Sequence, residues 1–399
     1  MATHTPDSTE PTRLETGTEA VERRIFEAHE GGKLTVEPTA PIDNADDLAI
    51  VYTPGVARVV EEIAEKPEKA REYTIKKNTV AVVTDGSAIL GLGDRGPLAA
   101  LPVMEGKAAL FSRFAGVDAF PICLDAHEVE DIVAHVKAIA PAFAGINLED
   151  ISAPRCFEIE DRLRAELDIP VFHDDQHGTA VCVLAALTNA LTIVEKPIEE
   201  VRIAMSGAGA AGTAILRLLL AAGARDVIVT NSKGIVREGR EAGDRLEWIA
   251  RHTNPRNVEG GLREAVAGAD VFIGVSVPNI LDEAMLRSMN ERAIVFALSN
   301  PVPEVDPEIA WKYAAVVATG RSDFANQINN VLAFPGVFRG LIDAHACEVT
   351  DEALLAAAQA IASVVSDEEL SPRHIVPSVF DERVTPAVAR AVARTGEPR

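Results

Sequence analysis

Lysine is scarce in this chain: it supplies only 10 of the 38 basic residues, against 61 acidic ones and a formal charge of −23 at pH 7. Nucleic acid and anionic membranes are bound through positive surfaces, so neither is expected as a partner. An acidic, lysine-poor surface resembles proteins from cytosols of very high salt, where self-repulsion is screened, although an ordinary acidic enzyme can share the composition. Cysteine is scarcer still. Cys123, Cys156, Cys182 and Cys347 include no Cys-x-x-Cys pair, so neither a disulfide framework nor a zinc cluster is indicated, and all four read as small buried apolar residues. Long apolar runs are missing too, since stretches such as 215–222 and 361–365 fall far short of the roughly 20 residues of a membrane-spanning helix. The opening Met1-Ala2-Thr3-His4-Thr5-Pro6-Asp7 has no basic patch leading into an apolar core. A secretory signal is therefore not expected, and the cytoplasm is the expected location.

What is present suffices for two ordinary domains: 399 residues, 47% of them apolar. Residues 1–18 are rich in Thr, Glu, Pro and Ser and have no apolar period, so a disordered arm is expected there. Beyond it, short β-rich runs at 79–83, 119–123, 145–148 and 169–172 alternate with amphipathic segments at 128–138 and 154–167. That alternation predicts an α/β domain with a mainly parallel sheet. An apolar helix over 178–194 leads to Lys196-Pro197-Ile198-Glu199-Glu200, which marks a boundary. A second α/β unit follows, with strands at 201–205, 226–230, 270–274, 293–297 and 314–318, and helices over 351–365 and 385–394 end the chain. The expected organisation is an N-terminal α/β substrate and metal domain over 19–195 and a C-terminal Rossmann-type dinucleotide-binding domain over 196–345. Trailing helices over 346–399 are expected to pack back on both.

Immediately after the strand at 201–205 comes Gly207-Ala208-Gly209-Ala210-Ala211-Gly212, followed by an apolar helix. In this strand-turn-helix context the glycines permit a tight turn, and pyrophosphate can sit against the free N–H groups of the helix N-terminus. An NAD-specific fold usually places an acid about 20 residues further on, to bind the ribose hydroxyls. Here that position is Asn231, followed by Ser232 and Lys233, with Arg237 a further cation. A neutral amide does not repel a 2′-phosphate, and its neighbours can donate to one, so NADP is the expected cofactor with NAD as the alternative.

The first domain carries two acid pairs, Glu149-Asp150 and Asp174-Asp175, each placed after a predicted strand. Four carboxylates at neighbouring strand ends repel unless a cation sits among them, and all-oxygen ligands suit Mg²⁺ or Mn²⁺. Taken singly, Asp174-Asp175 also reads as a helix N-cap. His173 and His177 have the i, i+4 spacing of a zinc site but no glutamate between them, so they read as supporting or structural residues. Lys107 lies in the apolar run 101–111, where an amine near other cations has a lowered pKa and can act as a base. Its bland alternative is a surface lysine. Tyr52, before a Thr-Pro-Gly turn, could simply anchor that turn.

Taken in order, Tyr52-Thr53-Pro54-Gly55-Val56-Ala57, Val103-Met104-Glu105-Gly106-Lys107, Asn147-Leu148-Glu149-Asp150-Ile151 and Phe172-His173-Asp174-Asp175-Gln176-His177-Gly178 resemble the malic enzymes of the short prokaryotic type. Leu298-Ser299-Asn300-Pro301, Gly320-Arg321-Ser322-Asp323 and Asn329-Asn330-Val331-Leu332 extend the likeness into the second domain. The resemblance implies oxidative decarboxylation of malate to pyruvate, a divalent metal held by Glu149, Asp150 and Asp175, Lys107 as general base and Tyr52 as general acid. It further implies Asp174 as a neighbouring acid of the hydrogen-bond network, Asn300 and Asn330 as amides that contact the substrate, and a homodimer. Many long-type relatives carry an arginine where this chain has Ala88, so the clamp for the substrate carboxylate is expected elsewhere, with Arg95 and Arg321 as candidates. A related decarboxylase of another 2-hydroxy acid is the nearest rival. A dinucleotide-binding regulator without catalysis is a second, and retention of Lys107, Tyr52 and the three metal carboxylates speaks against it.

Overall fold

Runs of Val, Ile and Ala without polar alternation become strands buried on both faces, as in parallel sheets covered by helices. The computed structural model describes residues 19–239 and 243–395, and the arm expected over 1–18 lies outside them. The first sheet contains β1 (Thr79–Thr84), β2 (Asp118–Cys123), β3 (Gly145–Leu148) and β4 (Val171–His173), all parallel in the order β2-β1-β3-β4. The second contains β5 (Arg202–Ser206), β6 (Asp226–Asn231), β7 (Gly234–Ile235), β8 (Val271–Gly274), β9 (Ala293–Ala297) and β10 (Ala314–Thr319). Its order, β10-β9-β8-β5-β6-β7, is that of a doubly wound dinucleotide-binding sheet, with only β7 antiparallel. The two-residue β7 leaves no periodic trace in the sequence. In the glycine motif, the helix Ala210–Ala221 begins inside the motif rather than after it.

The core runs without interruption from one sheet to the other. At its centre lies Asp174–Val194, a π turn continued by the helix Thr179–Val194. These 21 residues are long and apolar enough to meet the test for a membrane-crossing helix, which corrects the inference from short apolar runs. Most of the segment is buried inside the protein, where it packs on the helices Ala210–Ala221 and Asp351–Val364. The helix Phe334–Asp343 reaches back to the first domain. Phe334 and Phe338 meet Phe111 with ring centroids 4.7 and 5.2 Å apart, and Phe338 also meets Phe172 at 5.7 Å. All four rings are fully buried, and burial of each contributes about 1.5–3 kcal/mol.

By contrast, the helices Ala45–Val51 and Val56–Glu65 bury no residue, although they carry Leu48, Ile50, Val56 and Val60. The cysteines are all free. Cys156 and Cys182 are buried as expected, but Cys123 and Cys347 are only half-buried.

Candidate active site

Each sheet reverses its strand order once, between β1 and β3 and between β5 and β8. Ligand crevices open at the carboxyl ends of strands beside such a reversal. Glu149 and Asp150 follow β3, Asp174 and Asp175 follow β4, and Leu148 pairs in register with His173, so the two acid pairs face each other across adjacent strands. Asp150 adopts a left-handed backbone at φ +52°, which aspartate tolerates better than most side chains. Its N–H donates to Asp175 Oδ2 at 2.9 Å. Asp174–Gly178 form one π-helical turn, a local geometry frequent at functional sites. A Cβ on Gly178 would stand 2.0 Å from Asp174 Oδ1, so glycine there lets the carboxylate fold back over the turn. Neither aspartate caps the helix through its side chain, which removes the N-cap alternative.

Lys107 projects from the helix Pro97–Ala115 and is 7% exposed, which excludes the surface alternative. Its Nζ lies 2.5 Å from Asp174 Oδ2, 2.9 Å from Glu149 Oε1 and 4.3 Å above the Phe334 ring. Its neighbours are thus carboxylates rather than the cations expected from the sequence. Desolvation pulls its pKa down, but attraction to Asp174 and Glu149 outweighs this and holds the ammonium above the usual lysine range. Asp174 also accepts a hydrogen bond from Asn330 Nδ2, and Glu149 accepts one from Asn147 Nδ2 at 2.9 Å. Burial pushes Asp174 up to about 6 despite the pull of Lys107. Burial, then the charge of Asp175, sets Glu149 at about 7 against the opposing pull of Lys107. Asp150 rises to about 8 through burial and the charges of Asp175 and Glu149, while burial and Asp174 raise Asp175.

This cluster is short of positive charge, and Asp150 Oδ2 is buried without a hydrogen-bond partner. The all-oxygen donor set of Glu149, Asp150 and Asp175 therefore fits a hard divalent ion chemically. Among the described residues, no three His, Cys, Asp or Glu side chains already stand as a coordination shell. One Glu149 oxygen is engaged by Lys107, and one Asp175 oxygen by the Asp150 N–H.

A cavity of about 850 Å³ connects this cluster to the second domain. Lys107, Glu149, Asp150 and Asp175 line it together with Ala210, Ala211, Asn300 and Asn330, the last of which is bonded to Asp174. The glycine motif forms the turn that pyrophosphate binding needs. Gly207 has φ +117°, and a Cβ there would lie 2.5 Å from Val275 O, whereas a Cβ on Gly212 would lie 2.0 Å from Gly207 O. Gly209 faces open space, and a Cβ there would meet nothing within 4 Å. Arg245 donates to Ala208 O and Thr213 Oγ1 and lies 4.9 Å over the Phe157 ring, linking this turn to the first domain. At the end of β6, Asn231 Oδ1 accepts the Lys233 N–H at 2.8 Å, and Arg237 is paired with Glu259.

Besides the buried Asp174 and the nucleotide-loop residues Asn231, Ser232 and Lys233, three further expected side chains are absent from the cavity lining. Tyr52 ends the helix Ala45–Val51, is 65% exposed and is absent from the cavity lining. Within one chain it therefore stands apart from Lys107. Arg321 is paired with Asp323 at 2.6 Å, and neither it nor Arg95 lines the cavity. His177 and Gln176 bond the buried Glu160, while His173 is fully buried with Nδ1 3.8 Å from Asp175 Oδ2. Sequence reasoning missed Glu160, and it also missed Glu304 and Lys33. The fully buried Glu304 accepts the N–H groups of Ser276 and Ser299 at 2.9 and 3.0 Å, tying together the loops after β8 and β9. Lys33 lines the cavity mouth, and its only sequence signal is a rare lysine after Gly31-Gly32.

A dinucleotide turn facing a lysine–carboxylate cluster across one cleft defines a two-domain α/β protein of the oxidoreductase kind. Residues 31–164 match the family model of the malic enzyme N-terminal domain, and residues 176–396 match that of the malic enzyme NAD-binding domain. The chain is 58% identical over 385 residues to the NAD-dependent malic enzyme of Geobacillus stearothermophilus, covering 95% of this chain and 80% of that one. It is 44% identical to the NADP-dependent malic enzyme of Halomonas elongata, covering 92% of each chain. The crystal structure of malic enzyme from Pyrococcus horikoshii superposes with a TM-score of 0.91 at 50% identity, covering 94% of this chain and 90% of that one. The chain belongs to the malic enzyme family, in its short form.

Proposed function

We propose that the protein converts (S)-malate to pyruvate and carbon dioxide in the cytoplasm, reducing NADP in preference to NAD and requiring Mg²⁺ or Mn²⁺. The observation that carries this reading is Lys107 Nζ, held between Asp174 and Glu149 in the cavity that also reaches the glycine turn. When bound, the dinucleotide would supply the hydride acceptor and the divalent ion the Lewis acid for the C2 oxygen. Lys107 takes the C2 hydroxyl proton. Asp174, 2.5 Å from Lys107 Nζ, is the adjacent acceptor to which the lysine can pass a proton on. Asn330, fixed by its bond to Asp174, and Asn300, which lines the same cavity, orient the substrate. Glu149, Asp150 and Asp175 hold the metal. Malate-dependent reduction of each dinucleotide, measured with and without Mn²⁺, tests the proposal, and no reduction of either would overturn it.

Tyr52 is the acid that protonates C3, and the homodimer supplies it. Leu48, Ile50, Val56 and Val60 form an exposed apolar face around it that a second copy can cover, carrying Tyr52 into the partner's cleft. Tyr52→Phe and Lys107→Ala chains, each inactive alone, should regain about a quarter of the parental rate when unfolded and reassembled together. One site is intact in each mixed dimer, and random assortment makes half the dimers mixed. No recovery in mixtures that demonstrably contain mixed dimers would return Tyr52 to its own chain.

The NADP preference rests on Asn231, Ser232 and Lys233 at the end of β6, since Arg237 is engaged by Glu259. Asn231→Asp should shift the kcat/KM ratio toward NAD by roughly tenfold or more, as hydrogen bonds to a charged group contribute about 1.5–3 kcal/mol. Lys233→Ala should weaken NADP much more than NAD. An unmodified enzyme that favours NAD would show that this loop does not read the ribose phosphate.

A further inference from the structure

We infer that Lys33 is the side chain that receives the carboxylate of malate at the mouth of the cavity, the role expected from the sequence of Arg95 or Arg321. The inference rests on the proposed malate chemistry. The divalent ion proposed for Glu149, Asp150 and Asp175 can face only one end of a dicarboxylate, and with Asp174 buried behind them the other carboxylate needs a cation of its own if binding is to be favourable. Lys107 is committed to two of those acids. His29, at the exposed end of its segment, spends Nδ1 on Ile25 O, and His173 is wholly buried.

Lys33 differs from all of these. Its backbone N–H is anchored on Glu105 Oε2 at 3.1 Å, and its Nζ donates to Pro102 O at 2.7 Å. A Cβ on Gly106 would stand only 3.5 Å from that Nζ, which places the ammonium against the helix turn one residue before Lys107. Among the described residues its ammonium forms no ion pair, although the chain is rich in acids. An ammonium has three protons, and Pro102 O accepts one, leaving donors for an anion in the cavity. Lys33 thus combines an anchored backbone, a fixed side-chain direction and an unneutralised charge beside the catalytic lysine.

The test compares parent, Lys33→Gln and Lys33→Arg enzymes, each holding Mn²⁺ and dinucleotide. Lys33→Gln should raise KM for malate roughly 10- to 100-fold, move kcat far less and leave KM for the dinucleotide unchanged. Lys33→Arg should recover part of that loss. Inhibition constants supply a readout independent of turnover of malate itself: the parent should prefer the dicarboxylate tartronate to the monocarboxylate lactate, and Lys33→Gln should lose that preference. An unchanged preference, or an effect on dinucleotide KM alone, overturns the assignment. A parent that does not oxidise malate overturns the proposed function, and this inference with it.

Discussion

Replacing Lys107 with alanine is expected to lower malate turnover by roughly 10²- to 10⁴-fold, the span typical of a positioned general base. The expectation follows from where the amine sits. It is 7% exposed, donates to Asp174 and Glu149, and shares a cavity with Asn300 and the glycine turn. Its removal also leaves two buried carboxylates without their cation. Breaking a buried ion pair from one side costs about 3–5 kcal/mol, so the melting temperature should fall as well. Loss of stability and loss of chemistry are separated by adding methylamine, which fits the space vacated by the side chain. Partial return of turnover at unchanged KM for the dinucleotide identifies the missing amine as the cause. Parental turnover in Lys107→Ala would remove the lysine from the base role altogether.

The strands were legible because parallel strands covered on both faces are continuous Val, Ile and Ala runs. Nine of the ten strands coincide with expected runs to within two residues, and only β7 had no forecast. The helices Ala45–Val51 and Val56–Glu65 were not legible, because an apolar stripe forecasts a helix only by pointing at a core, and these point at none in the chain. The acid pairs were legible as neighbours for a geometric reason. Each follows a strand directly, and parallel strands bring equivalent ends to the same edge of a sheet.

The environment of Lys107 was legible only in part. Its apolar flanks announced burial, but the sign of the surrounding charge depends on contacts 42 and 67 residues away, as the separations Lys107 to Glu149 and Lys107 to Asp174 show. Local sequence contains no trace of such partners. Lys33 was missed for the same reason, since its anchors Pro102 and Glu105 lie 69 and 72 residues along the chain. Tyr52 stands out only by its motif, and a motif says nothing of which cleft the side chain enters. The same separation governs Glu304, whose two backbone donors come from loops that only the fold brings together.

Asp175→Asn should raise the Mn²⁺ concentration needed for half-maximal activity by at least the roughly 10- to 100-fold that follows loss of even a residue supporting a ligand. The substitution is nearly isosteric, and an asparagine oxygen can still accept the Asp150 N–H that Asp175 Oδ2 accepts at 2.9 Å. The backbone turn should therefore survive while one of the charges that attract the ion is lost. Glu149, Asp150 and Asp175 are not arranged as a finished shell, so an ion bound there would have to compete with Lys107 for Glu149 and with the Asp150 N–H for Asp175. Affinity would then depend on ligand charge, because attraction to the ion has to draw the carboxylates together. A readout without catalysis checks the same point. Mn²⁺ should raise the melting temperature of the parent, in keeping with a ligand that binds only the folded state, and should raise that of Asp175→Asn only at much higher concentration. Equal responses of the two proteins, or full parental activity after exhaustive chelation, would take the metal away from these three carboxylates.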